Sequence, residues 1–502
     1  MSALGAIALA VLYGALRPFP AAAAPPPSLR DWHEVRVPGF VVVTDGDQAL
    51  AGALGAHLSE LRSLFAQVWP IPEPSRREVY VLAVSQPSRL RAFLPAYWES
   101  CDRAHPEGAF VHGLDRDYLV VAVGTGPRAP FGVLDHEFGH ILVDEHFGTL
   151  PPWLDEGLAE FVALGEPLSG RFGAASENYL RLLRSRPLLP LDALFRADRK
   201  SDAYTSAQGV ALFYAESWAL VHYLALSNGG LEAPRLSVFV SLLRSGTEDT
   251  EAARTAFGDF EALGQRVKTY VNSRFLPSAT LSVLPFGRAV RPETRRLSQG
   301  ESALLLGDLF AATNRPGDAA SLLSRPDFGE LEPEALERLS LSQLREQAFD
   351  FARITASRAI AANDRLAIAR YVRAVAVIAS NQSKDPALFE AAEQDLRDAI
   401  KRDPALAAAY AALGALLAET HKDPAEALAL AKRGVGLDPS SVACQVGLDQ
   451  VLLMTGMLDE AKALAARIVR NARSPREREV GQALLLSAIS SPPPTDVARS
   501  PH

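Results

Sequence analysis

The chain has 502 residues, 48% of them hydrophobic and 22% charged, with a formal net charge of −8. That length exceeds what one core supports and divides into roughly three domains, and the acidic balance leaves no basic footprint for nucleic acid. Two cysteines, Cys101 and Cys444, exclude a disulfide framework and a thiolate metal site.

The first residues carry an apolar run from Ala3 to Leu16, too short to span a bilayer comfortably, followed by the small residues of PFPAAAA. This predicts a signal peptide over 1–24. The run lacks a basic n-region, and an uncleaved membrane anchor is the alternative. Residues 31–130 read as a mixed α/β part: EVRVPGFVVVTDG and REVYVLAVS are β-branched runs bounded by turn residues, DQALAGALGAHLSELRSLFAQVW has helical spacing, and GAFVHGLDRDYLVVAVG reads as a hairpin around Gly113, Asp115 and Asp117. Residues 131–275 are expected to be almost wholly helical, and 276–300 a proline-rich linker. Within 301–480, Gly414, Ala427 and Asp438-Pro439 follow one another in the order of a tetratricopeptide repeat. Asp403-Pro404 lies 35 residues before that closing proline and Ser474-Pro475 36 after it. A period near 34 predicts stacked helical hairpins that capture a protein partner. Residues 481–502 are expected to form a disordered tail.

The segment HEFGHILVDEH, His136 to His146, holds the chemistry. Residues four apart on a helix project from one face, so His136 and His140 can share one Zn²⁺, with Glu137 placed to reach a water without being a ligand. His146 stands where a metzincin has its third histidine, but Val143 occupies the position of the helix-breaking glycine and no methionine lies between Met1 and Met454. The other candidate is Glu156 in PPWLDEGLAEF. Gly148 ends one helix, Pro151-Pro152 start the next, and the second helix folds back to complete a His₂Glu sphere with one open position. Glu160, one turn on, can accept the free N–H of a ligand histidine.

HEFGH followed by WLDEGLAEF resembles the gluzincin metallopeptidases, in particular the peptidase MA-like branch, over about Asp31 to Arg274. The resemblance implies a gluzincin-like α+β catalytic domain, a small mixed sheet plus a helical subdomain, ahead of the repeat solenoid. It implies one Zn²⁺ per chain on His136, His140 and Glu156, with Glu137 as general base hydrolysing a peptide or protein substrate through zinc-bound water. Together with the expected signal peptide this points to an exported protein of the bacterial periplasm or cell envelope, or, with the segment uncleaved, an N-terminally anchored one. In gluzincin aminopeptidases a catalytic tyrosine opens a helix in a Tyr-x-x-small motif, and Tyr214 with Ser217 fits that place; a phenol there can donate to a carbonyl oxygen that gains charge. Tyr204 and Tyr223 are the alternative donors, and a core aromatic is the plainer reading of Tyr214. The aminopeptidase strand G-A-M-E-N is not matched: Gly108-Ala109-Phe110 runs on to Val111 and His112. This favours an endopeptidase, or another amide hydrolase, over an aminopeptidase. The competing function is a non-catalytic envelope scaffold acting through the repeats.

Overall fold

The computed structural model describes residues 28–69, 77–94, 108–123, 131–148, 150–166, 169–198, 201, 207–227, 234–245, 247–282, 293–326, 328–381, 384–472 and 475–490. The expected signal peptide, Cys101 and Tyr204 lie outside them. The fold is mostly helical with a small mixed sheet. Its described residues divide into two compact units, one falling within 31–111 and 117–296, the other within 28–30, 112–116 and 297–490.

The first unit holds a six-stranded sheet in the order β4-β5-β3-β2-β1-β8: β1 (His33–Val37), β2 (Phe40–Thr44), β3 (Glu78–Val84), β4 (Gly108–His112), β5 (Arg116–Ala122) and β8 (Thr294–Arg296). The first β-branched run is thus two strands. Pro38-Gly39 turns the chain between them, Gly39 at φ +90°, and they pair antiparallel from His33–Thr44 to Val37–Phe40. β2 runs parallel to β3, a connection that needs a crossover, supplied by helix α1 (Gln48–Val68). Asp47 caps α1 by accepting from Leu50 N–H, and the buried Leu54, Leu58, Leu61 and Phe65 fall on one face at helical spacing.

After α2 (Pro87–Phe93) come α3 (Gly132–Phe147), α4 (Pro152–Ala163), α5 (Glu177–Ser185), α6 (Leu191–Arg196), α7 (Ala207–Leu226), α8 (Pro234–Arg244), α9 (Asp249–Phe257) and α10 (Phe260–Val271). The expected run of helices is interrupted by β6 (Arg171–Phe172), which pairs with β7 (Ala279–Thr280). The span 276–300, expected to be a linker, contributes β7 and β8 to the fold and then a capping box at Ser298 and Glu301 that opens the next helix. Among the described residues α7 is the one helix long and apolar enough to cross a membrane by length and composition. Its Phe213, Trp218, Leu220 and Val221 are fully buried with Trp153 and Phe161 in the core of this unit.

The second unit is a run of helix pairs: α11 (Gln299–Ala312) and α12 (Pro316–Leu323); α13 (Glu332–Arg345) and α14 (Phe349–Ala362); α15 (Ala367–Ser380) and α16 (Pro386–Arg402); α17 (Ala407–Glu419) and α18 (Pro424–Leu437); α19 (Val442–Met454) and α20 (Leu458–Asn471); then α21 (Pro475–Ser490). Gly414 shows why small residues recur. A Cβ there would sit 2.7 Å from Ala427 O, so the backbones of α17 and α18 touch. Helix α21 runs through Ser490, into residues expected to be tail, because Val480, Leu484 and Ala488 are buried at its apolar spacing.

Candidate metal centre

Helix α3 continues unbroken past Val143 to Phe147, and Gly148 at φ +74° ends it. His146 therefore stays in its last turn, where its ring lies against Phe65 and Phe147 and takes no part in the cluster. His136 and His140 share the face turned to α4. The two helices approach closely because position 139 is glycine: a Cβ there would meet Ala159 Cα and O at 3.1 Å. That approach brings Glu156, 2% exposed, against both histidines.

His136 Nε2 and His140 Nε2 lie 3.2 Å apart, and Glu156 Oε2 lies 3.5 Å from the first and 3.4 Å from the second. Bonds of about 2.0–2.1 Å at tetrahedral angles give ligand–ligand edges of roughly 3.3–3.4 Å, so the three atoms outline one face of a zinc tetrahedron. Both outward nitrogens lie beside carboxylates. His140 Nδ1 hydrogen-bonds Asp155 Oδ1 at 2.9 Å, while His136 Nδ1 lies 3.1 Å from Glu160 Oε1 without a hydrogen bond between them. The two Nε2 atoms converge on one point with Glu156 Oε2, an arrangement that a shared cation would satisfy.

The electrostatics agree. Burial is the largest effect on each group and opposes charge. Against it, Glu156 and Glu160 raise His136 to about 10, and Asp155 and Glu156 hold His140 well above the ordinary histidine range. The two imidazoles hold Glu156 well below the usual carboxylate range. Positive charge is stabilised at this spot, and the donor set of two imidazoles and one carboxylate suits zinc.

Glu137 lies against the sheet: its Cγ would be 2.9 Å from a Cβ at Gly108, the first residue of β4. Glycine is needed there for the side chain to fit. β4 is the last strand of the sheet as described. Tyr214 on α7 stacks on His136, ring centroids 5.9 Å apart and planes at 20°. Tyr223 packs edge-on against Tyr270 instead. Ser217 is where α7 meets α4: a Cβ at Gly157 would be 2.5 Å from Ser217 O. Sequence reasoning missed Asp155 as the partner of His140. Its only signal was its place beside Glu156, and spacing alone does not distinguish it from an exposed helix carboxylate.

No family model matches the chain, and no curated protein matches it. Solved structures that match include a thermophilic TPR protein of Thermus thermophilus (24% identity, 37% of this chain and 99% of that one, TM-score 0.33). A tetratricopeptide repeat protein from Parabacteroides merdae also matches (16%, 39% and 81%, 0.26), as does the TPR domain of P58(IPK) (12%, 72% and 78%, 0.21). At these scores the helix pairs themselves, and not the likeness, define the second unit.

Proposed function

We propose that the chain is an exported zinc-dependent peptide hydrolase, an endopeptidase of gluzincin type, whose repeats recruit a protein substrate or envelope partner. The observation that carries this reading is the triangle of His136 Nε2, His140 Nε2 and Glu156 Oε2, with edges of 3.2, 3.5 and 3.4 Å. Bound by these three residues, zinc would act as a Lewis acid toward the scissile carbonyl and the attacking water. Glu137 takes the proton of that water and returns it to the leaving amine. Tyr214 donates a hydrogen bond to the carbonyl oxygen as it gains charge. An extended peptide adds to the sheet beside β4, next to Glu137, by main-chain pairing. Val111 and His112 offer no acidic anchor for a free amino terminus, which favours internal cleavage.

Metal analysis and kinetics test this together. About one zinc per chain is expected, reduced strongly by His136→Ala and Glu156→Ala and unchanged by His146→Ala. Equal zinc in wild type and both ligand variants would sink the assignment. Glu137→Gln should keep its zinc and lose at least ~10²-fold in turnover; Tyr214→Phe should lose roughly 10²–10³-fold in kcat with KM little changed. Export is checked by sequencing the amino terminus of protein made in cells, expected to start near Ala22 to Ala24.

The second reading is a non-catalytic scaffold working through the repeats. The comparisons offer nothing for the hydrolase and speak only of repeats, and the stacked hairpins of 299–490 favour a protein-binding role. A wild-type chain that holds no zinc and hydrolyses no peptide, yet captures its partner through the repeats, would decide for the scaffold; an active Glu137→Gln variant would instead refute the general-base mechanism.

A further inference from the structure

On the side of α7 away from the histidines, a cavity of about 720 Å³ opens between α5, the loop before α6, α7 and α10. That is within the roughly 300–1,000 Å³ of small-molecule sites. One side of its wall is aliphatic, with Leu183, Leu188, Leu191, Leu220, Val267 and Val271, and the remainder carries charged residues that include Asp192, Asp259 and Glu261. Into this wall α7 sets a carboxyl group, Glu216, only 5% exposed. Leu189 N–H donates to its Oε1 at 2.7 Å, and among the described residues no cation pairs with it. Burial holds its acid up at about 8. The helix separates the two sites. Tyr214 and Ser217 face the metal cluster and α4, while Glu216, Ala219 and Leu220 fall on the opposite face.

We propose that this cavity is a binding site for a small alkylamine, its ammonium on Glu216 and its chain along the aliphatic wall. Above about pH 8, where Glu216 ionises, its buried carboxylate with one backbone donor gains most from a charge-assisted N⁺–H···O⁻ bond, and the aliphatic part of the wall suits methylenes; the probes are compared at such a pH. An anionic head finds a poorer welcome. The rim arginines, Arg196 and Arg254, are both held by Asp192, at 3.1 and 3.4 Å, and Arg254 lies over the Phe260 ring at 4.5 Å. Among the described residues lining the cavity, that leaves the exposed Lys268 at the mouth as the cation an anion could use.

Three probes of equal chain length separate these cases: n-hexylammonium, n-hexanol and n-hexanoate, titrated calorimetrically into the full chain. The ammonium should bind at least roughly tenfold tighter than either other probe. Glu216→Gln should erase that preference and leave hexanol unchanged. Gly264→Phe keeps the carboxyl but fills the cavity; a Cβ there sits at an ordinary 3.8 Å from Leu191, and binding of all three probes should vanish. Tightest binding of hexanoate, undiminished ammonium binding by either variant, or no binding of any probe would overturn the site.

Discussion

The Nδ1 of each histidine lies beside a carboxylate of α4, hydrogen-bonded in the case of His140 and Asp155 and 3.1 Å away in that of His136 and Glu160, and these two carboxylates bracket Glu156 on that helix. Their work is to hold the tautomer and the ring orientation, so their loss should appear in metal affinity before it appears anywhere else. Asp155→Asn and Glu160→Gln are each expected to weaken zinc binding by about 10–100-fold, measured by competition with a chelator, while the folded far-UV signal stays unchanged. Unaltered zinc affinity in both would mean that neither carboxylate orients its histidine. The two histidines and Glu156 were legible in the sequence because four-residue spacing and a glycine-then-proline break are local signals. Glu160 followed from one helical turn. Asp155 did not, because which of two adjacent carboxylates faces a ring depends on the rotation of α4 against α3. Glu216 was equally silent, since its cavity is assembled from four segments far apart in sequence.

At the scale of elements, the site depends on how closely three helices pack, and glycine sets that distance. Gly139 lets α3 meet α4, and Gly157 lets α4 meet α7 with Ser217 O only 2.5 Å from where a Cβ would stand. Gly157→Ala forces α7 outward. Overpacking of this kind costs typically about 1–3 kcal/mol, and here it also carries Tyr214 away from His136. The expected outcome is a lower Tm and a lower kcat with full zinc content; a variant with normal kcat would free Tyr214 from any role in the reaction. The sequence placed most helices and the sheet's central strands well, because their apolar periods are strong. It missed what short segments do. β6, β7 and β8 have two or three residues each, too few for alternation to register, and their pairing is a tertiary fact.

Across the whole molecule, the units do not follow the order of the chain. The turn of the β4–β5 hairpin, 112–116, belongs with the helix pairs. There Arg338 donates to Asp115 through both terminal nitrogens, at 2.6 and 2.7 Å, and also lies 3.5 Å from Asp308. Burial, the largest effect on Asp115, favours its neutral form, but Arg338 and Arg116 hold it well below the usual carboxylate range. Breaking a buried pair of this type costs about 3–5 kcal/mol, so Arg338→Ala should lower the thermal midpoint of the repeat unit clearly, and an unchanged midpoint would show the pair to be dispensable. A fragment cut by sequence number alone, from Leu297 onward, inherits a related defect, for it keeps the guanidinium and Asp308 but discards Asp115, the carboxylate that takes both terminal nitrogens. Such a piece would lack both His112 to Arg116 and Ser28 to Arg30, which group with it, and a synthetic peptide carrying His112 to Arg116 should restore the Asp115 pair in trans, as a missing stave restores a barrel.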